Sequence, residues 1–148
     1  MKYDIVEYFC FTRDVLEIIS GLDSLIFDEP YTLEKMIVRT NEKNNCLILV
    51  AFSGNEAIGF KAGFEENDKF HSWIGGVIPS YRGNGVSKEL MLRQHSWAKE
   101  NGFKTLRTHT EAQYERMLKV NLKAGFKIID RQLRPNGTGK IILEKDLR

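Results

Sequence analysis

The sequence predicts an α/β chain of the α+β type: a mixed, mostly antiparallel sheet of roughly seven strands with helices on both faces. Three observations predict it. Three apolar runs at 46–52, 57–64 and 70–78 follow one another across short turns and form an antiparallel meander. A strand, a glycine turn and an amphipathic helix come next, beginning at Val77. A further helix and a hairpin around Pro135-Asn136-Gly137-Thr138-Gly139 close the chain.

Each element has its own local signal. Residues 4–9 alternate enough for an edge strand, and Thr12 is placed to cap a helix reaching to about residue 22. A second helix follows Pro30, over 32–40. The run 46–52 is apolar throughout and bounded by Asn44-Asn45 and Ser53-Gly54-Asn55, which reads as a buried strand. Asn67-Asp68 makes the next turn. Val86, Leu90, Trp97 and Ala98 share one face of a helix over 86–101, with Gly102 at its C-terminal cap. Residues 105–110 form a strand, and the final hairpin joins 127–133 to 141–144.

Composition narrows the function classes. A chain of 148 residues, 42% hydrophobic and 28% charged, is expected to be one domain over 1–148 with a core of ordinary size. A net charge of +2 without a basic run argues against nucleic acid. No stretch approaches the length of a membrane span, and the first residues lack the apolar core of a signal peptide, so a cytoplasmic location is expected. Cys10 and Cys46 have no metal or redox spacing and read as reduced thiols in or near the core. His71, His95 and His109 lack metal-ligand spacing, so no metal is expected.

The segment Arg82-Gly83-Asn84-Gly85-Val86-Ser87-Lys88 carries the chemistry. Helix first turns leave N–H groups without partners, and the helix dipole adds to their attraction for an anion. Gly83 and Gly85 permit positive φ and a close approach of phosphate to the backbone, while Arg82 and Lys88 supply charge. The alternative is an ordinary glycine-containing connection. A Walker loop is absent, and the dinucleotide fingerprint fails because Lys88 stands where its third glycine belongs.

Arg-Gly-x-Gly-x-Ser after a strand resembles the acyl-CoA pyrophosphate loop of the GNAT superfamily of N-acetyltransferases. Met117, Val120, Asn121, Gly125 and Phe126 resemble the second motif of the branch that reads Asn-x-x-Met-x-x-Ile-Asn-x-x-x-Gly-Phe, with Tyr114 departing from its first Asn. Ser80 and Ser87 are smaller departures within the phosphate motif. The resemblance implies acetyl-CoA as donor, bound by Gly76, Val77, Arg82, Gly83, Asn84, Gly85, Val86, Ser87, Lys88 and Asn121. It also implies that the strands ending at Val77 and beginning near Thr105 splay apart, so that the pantetheine arm inserts between them. The Gly75-Gly76 pair suits a bulge or a close approach there.

Direct transfer through a tetrahedral intermediate requires a neutral amine, a stabilised oxyanion and a tolerable leaving thiolate. An N–H near Val77 is expected to serve the oxyanion. His71 lies where several superfamily members carry a catalytic glutamate, and imidazole titrates in a useful range; a solvent-facing or core role is its alternative. Glu111 and His109 are the other candidate bases, and Glu65 and Glu66 read as solvating a hairpin end. Asn121 occupies the slot of the superfamily's acid tyrosine and cannot deliver a proton, leaving solvent, Tyr114 or Tyr81. The expected acceptor is an amine of a small molecule or peptide, selected by residues 20–41, where Phe27, Asp28, Glu29, Tyr31 and Glu34 could line a cleft. A homodimer is compatible with this reading. The alternatives are an acyl-CoA sensor or inactive module without turnover, and a phosphate-binding domain unrelated to CoA.

Overall fold

The structure is a computed structural model that describes all residues from Met1 to Arg148. The elements are β1 (Asp4–Tyr8), α1 (Arg13–Ile26), α2 (Leu33–Thr40), β2 (Leu47–Ser53), β3 (Glu56–Glu66), β4 (Lys69–Val77), a 3-10 turn (Pro79–Tyr81), α3 (Val86–Glu100), β5 (Thr105–Glu111), α4 (Glu115–Lys123), β6 (Lys127–Leu133) and β7 (Gly139–Asp146). All seven strands join one sheet in the order β1-β2-β3-β4-β5-β7-β6. Every pairing is antiparallel except β4 with β5, so the expected mixed, mostly antiparallel sheet is found.

Local chemistry sets the helix starts. Thr12 Oγ1 accepts from the Val15 N–H at 3.3 Å and Thr32 Oγ1 from the Lys35 N–H at 3.2 Å, satisfying donors that the first turn leaves free. Asp14 and Glu34 in those first turns add favourable charge. The first helix runs on to Ile26, beyond the predicted end near residue 22. Gly21 meets nothing within 4 Å, and Leu22 and Ile26 pack into the core, so burial outweighs the helix penalty of one glycine.

Helices cover both faces of the sheet. Phe64 meets Phe11, His71 and Trp73 on the face beneath α1 and α2. Phe70 meets Trp97 and Phe103 on the face beneath α3. Strand β2 is buried from Leu47 to Ala51, which explains its unbroken apolar run. Cys46 is buried and Cys10 is exposed just past the end of β1; both are free thiols, as expected. No helix is long and apolar enough to cross a membrane.

The irregularity of β4 lies at Trp73, where the register with β3 shifts between Ala62–Ile74 and Gly63–Ser72. It does not lie at Gly75-Gly76. Those glycines serve close approach instead: a Cβ on Gly75 would stand 2.8 Å from the Phe60 carbonyl oxygen, and one on Gly76 would stand 2.9 Å from Ile26 Cγ2.

Two glycines make opposite predictions. A Cβ on Gly63 would lie 2.6 Å from both the His71 carbonyl oxygen and the Phe70 ring, so Gly63→Ala should lose about 1–3 kcal/mol. Gly21→Ala, in open space on a helix, should gain up to ~1 kcal/mol. Thermal unfolding of the two variants should therefore move in opposite directions.

Candidate functional site

The sheet opens in its middle. β4 and β5 pair only at Phe70–Leu106, His71–Arg107 and Ser72–Thr108. The Thr108 hydroxyl donates to the Ser72 carbonyl at 3.0 Å and closes the vertex. Beyond it, β4 keeps its pairing with β3 as far as Gly59–Val77, and β5 keeps its pairing with β7 as far as Glu111–Lys140, but the two no longer pair with each other. Two strand edges thus face a wedge, with backbone donors and acceptors available to an extended ligand.

The wide end of the wedge meets the glycine loop. Gly83 and Gly85 sit at φ +83° and +79°, and a Cβ on either would meet nothing within 4 Å. The helix they open has no side-chain cap, unlike α1 and α2. Its first-turn N–H groups therefore remain available to an anion. The Arg82 Nε donates to the Val77 carbonyl at 3.0 Å and the Asn84 amide to the Tyr81 carbonyl at 3.1 Å, fixing the loop to the end of β4. Arg82, Gly83, Asn84, Gly85, Ser87 and Lys88 are exposed, whereas Val86 is buried and can offer only its N–H.

On the α1/α2 face, His71 and His109 stand edge to face with ring centroids 4.8 Å apart. His71 is 3% exposed and its Nδ1 has no partner. Burial, with the charges of His109 and Arg39, pushes it down to about 4. His109 is also lowered, chiefly by burial. Both rings are thus neutral near pH 7. Glu66 does not solvate a hairpin end as expected: it accepts from Lys43 at 2.8 Å and from Arg39 at 3.3 Å. The Lys43 bond holds its carboxyl down to about 2 despite partial burial.

Trp73 extends this wall, contacting Phe11 and Tyr31 edge to face at 6.0 and 5.5 Å, while its buried indole N–H has no partner. Asp23, which the sequence does not single out, is 1% exposed and accepts from the Tyr31 N–H at 2.8 Å. Burial raises its carboxyl. Of the expected cleft residues, Tyr31 joins the wall, while Asp28, Glu29 and Glu34 are exposed.

Glu111 and Asn121 are not gathered around His71. Glu111 ends β5 exposed to solvent. Asn121 lies on α4, and Gly125, two residues past that helix, sits where a Cβ would stand 3.5 Å from Lys145 Cε. Tyr81 donates its hydroxyl to Glu56 at 2.8 Å, and Tyr114 is exposed ahead of α4, so neither candidate acid is committed to the wedge.

The α3 face carries a group that no motif in the chain points to. Lys61, in the middle of β3, is only partly accessible, and burial pushes its amine down to about 8. Nearby, Lys145 donates to His95 Nδ1 at 3.1 Å, since an ammonium can only donate. Burial and the charges of Lys145 and Lys61 push His95 down to about 3. A polar residue at a central-strand position covered by a helix is the signal that could have revealed Lys61. No group of three or more His, Cys, Asp or Glu side chains is arranged to hold a metal ion.

A family model described as the acetyltransferase (GNAT) family matches residues 15–126. No curated protein matches the chain. Among solved structures, the chain is similar to the ribosomal-protein-S18-alanine N-acetyltransferase from Escherichia coli, with a TM-score of 0.84 at 14% identity over 99% of this chain and 94% of that one. It is similar to Ard1 from Thermoplasma volcanium, with a TM-score of 0.82 at 16% identity over 99% and 98% of the two chains. It is also similar to the PaiA N-acetyltransferase from Thermoplasma acidophilum in complex with coenzyme A, with a TM-score of 0.74 at 22% identity over 99% of both.

The buried imidazoles make stability depend on pH. Folded values near 4 for His71 and near 3 for His95 lie below the unfolded value of about 6.5, so the unfolded chain binds protons first as pH falls. Stability should be unaffected by them above about pH 6.5 and should fall progressively below it, by up to ~1.4 kcal/mol per pH unit for each ring. Denaturant unfolding between pH 7 and 4.5 should show a shallower decline in His95→Gln than in the parent chain.

Proposed function

The chain belongs to the acetyltransferase (GNAT) family, and from that premise we propose that it transfers the acetyl group of acetyl-CoA directly to the amine of a small molecule or peptide in the cytoplasm. The observation that carries this reading is the wedge between β4 and β5, which ends at the uncapped start of α3. An extended arm with a pyrophosphate at its end fits that shape: strand edges for the amides, and the Gly83–Gly85 backbone with Val86, Ser87 and Lys88 N–H groups for the phosphates. The coenzyme A complex of the similar PaiA N-acetyltransferase supports the donor. The ribosomal-protein-S18-alanine N-acetyltransferase supports a peptide acceptor among the candidates.

Acetyl-CoA supplies an activated acetyl thioester; the protein supplies position and proton handling. Gly76 and Val77 offer the strand edge, and Arg82 pins the end of β4 through the Val77 carbonyl. His71, neutral and paired with His109, is the proposed base on the α1/α2 face, where an acceptor amine would enter past Tyr31 and Trp73. Its low value makes it a weak base that is always in the accepting state near pH 7. Glu111, exposed at the strand end, is the alternative for relaying that proton to solvent. Asn121 is proposed to orient the thioester or the arm from α4. The reading without turnover, an acyl-CoA sensor, draws its support from Asn121, an amide that cannot deliver a proton, and from Tyr81, whose hydroxyl is engaged by Glu56.

Saturating acetyl-CoA should raise the thermal midpoint by several degrees, since ligand at about a hundred times its Kd adds roughly 2.7 kcal/mol, while ATP and NAD should not. Gly83→Leu should cost about 1–2 kcal/mol of stability from its left-handed φ and abolish that acetyl-CoA shift. His71→Ala should lower kcat with an amine acceptor by about a hundredfold or more and leave acetyl-CoA affinity unchanged. A turnover rate and pH profile identical to those of the parent would remove His71 as the base.

A further inference from the structure

Lys61 occupies a position that an apolar side chain would normally fill. It lies on the α3 face of β3 between Gly59 and Gly63, and pairs across with Gly75 of β4. A Cβ on Gly75 would stand 3.1 Å from Lys61 Cγ and 3.2 Å from its Cα, so the position opposite Lys61 has no room for a side chain beside the lysine stem. Gly75 belongs to the stretch of β4 that no longer pairs with β5. Beyond Cγ, the side chain has a reach comparable with one interstrand spacing of ~4.8 Å, long enough to carry the amine across β4 toward the wedge. Its charge is felt at His95, which hangs from α3 and bonds to Lys145 of β7 on the far side.

Nothing in the fold neutralises this amine. Lys61 takes part in none of the ion pairs. The titratable groups facing it are the neutral His95 from α3 and, behind that ring, Lys145 from β7; the facing β4 residue is glycine. A cation drawn partly out of water without a carboxylate is destabilised, and an anion arriving beside it would be favoured. The proposed reaction creates one at the wedge, the thiolate left when the thioester breaks. Of the other candidates, Asn121 is an amide, the Tyr81 hydroxyl is engaged by Glu56, and Tyr114 stands exposed ahead of α4.

We propose that Lys61 is a catalytic residue that stabilises and protonates the departing CoA thiolate from the α3 face of the wedge. This rests on the acetyl-CoA reading above. As the acceptor nitrogen forms its bond to the acetyl carbon, the C–S bond breaks and its electron pair goes to sulfur. The acceptor's proton leaves through the base on the opposite face, the Lys61 ammonium gives its proton to sulfur, and the neutral Lys61 amine regains a proton from solvent. The amine and thioester become amide and free thiol with no other reactant. Burial suits the donor to this role, because with a value near 8 the ammonium predominates at neutral pH yet releases its proton readily.

The decisive experiment titrates the thiol of CoA bound to the parent, Lys61→Met and Lys61→Arg proteins, following the ultraviolet absorbance of the thiolate. Thermal unfolding with acetyl-CoA runs in parallel as the binding control. In the parent, bound CoA should hold at least tenfold more thiolate than free CoA at the same pH; Lys61→Met should abolish that excess and Lys61→Arg should keep it. With an acceptor amine, parental kcat should fall as pH rises through about 8, and this alkaline limb should vanish in Lys61→Arg, which keeps its proton. Equal thiolate titration in the parent and Lys61→Met, with the acetyl-CoA thermal shift intact in both, overturns the role of Lys61 and leaves the acetyl-CoA reading standing. Absence of the acetyl-CoA shift from the parent itself overturns both.

Discussion

The parting of β4 from β5 is the constraint on which the rest of the molecule depends. A parallel pair would ordinarily continue its ladder, because unpaired backbone groups are expensive to bury. Here the Thr108 hydroxyl takes the Ser72 carbonyl at the last paired residue, and the register shift at Trp73 follows at once. A bulge bends the strand and increases its local twist, so β4 turns away with β3 while β5 stays with β7. The loop at the end of β4 is then held by Arg82 on the Val77 carbonyl, which places the open start of α3 at the mouth of the wedge.

The wedge also separates two electrostatic environments. One wall carries His71 and His109, both neutral, bordered by the Arg39–Glu66–Lys43 cluster. On the α3 side of the sheet lie Lys61 of β3 and the His95–Lys145 pair. Acyl transfer to an amine removes a proton from the nucleophile and returns one to the leaving group. A proton acceptor on one face and a donor on the other allow both to occur without a shared group cycling between them. His71 can stay neutral because burial and neighbouring positive charges act together against its protonation, outweighing the opposite pull of Glu66.

What was legible in the sequence was local or repeated. Thr12 and Thr32 announce their helices because a cap acts over three residues, and Gly83 and Gly85 announce the loop because a positive φ is a property of one residue. The second motif was legible as spacing, and the meander as alternating runs and turns. The misreadings concern partners distant in the chain. Glu66 looked like a solvated hairpin end because Arg39 and Lys43 approach it only in the fold. Of the two readings of Gly75-Gly76, close approach holds and the bulge lies instead at Trp73, since register follows from pairing across strands. Lys61 shows in the sequence only as a polar residue within an apolar strand; the helix above it and the glycine opposite come from the fold.

Of the five buried polar side-chain atoms without partners, two belong to Gln94 on α3 and three lie on the α1/α2 face. His71 Nδ1 and Trp73 Nε1 line the α1/α2 side of the wedge, and Asp23 Oδ1 lies one residue contact further out, behind Tyr31. Each such atom costs about 1–3 kcal/mol when nothing satisfies it, and an apolar replacement would remove the penalty. Asp23 shows what the polarity supplies in exchange. Its carboxylate accepts the Tyr31 N–H across the turn between the first two helices, and that bond fixes Tyr31 against the Trp73 ring. Backbone, aromatic wall and imidazole pair are thereby set in one arrangement before any acceptor arrives, so ordering them costs the bound state nothing further. The continuously buried run of β2 from Leu47 to Ala51, at the centre of the core, offsets the cost of these unsatisfied groups.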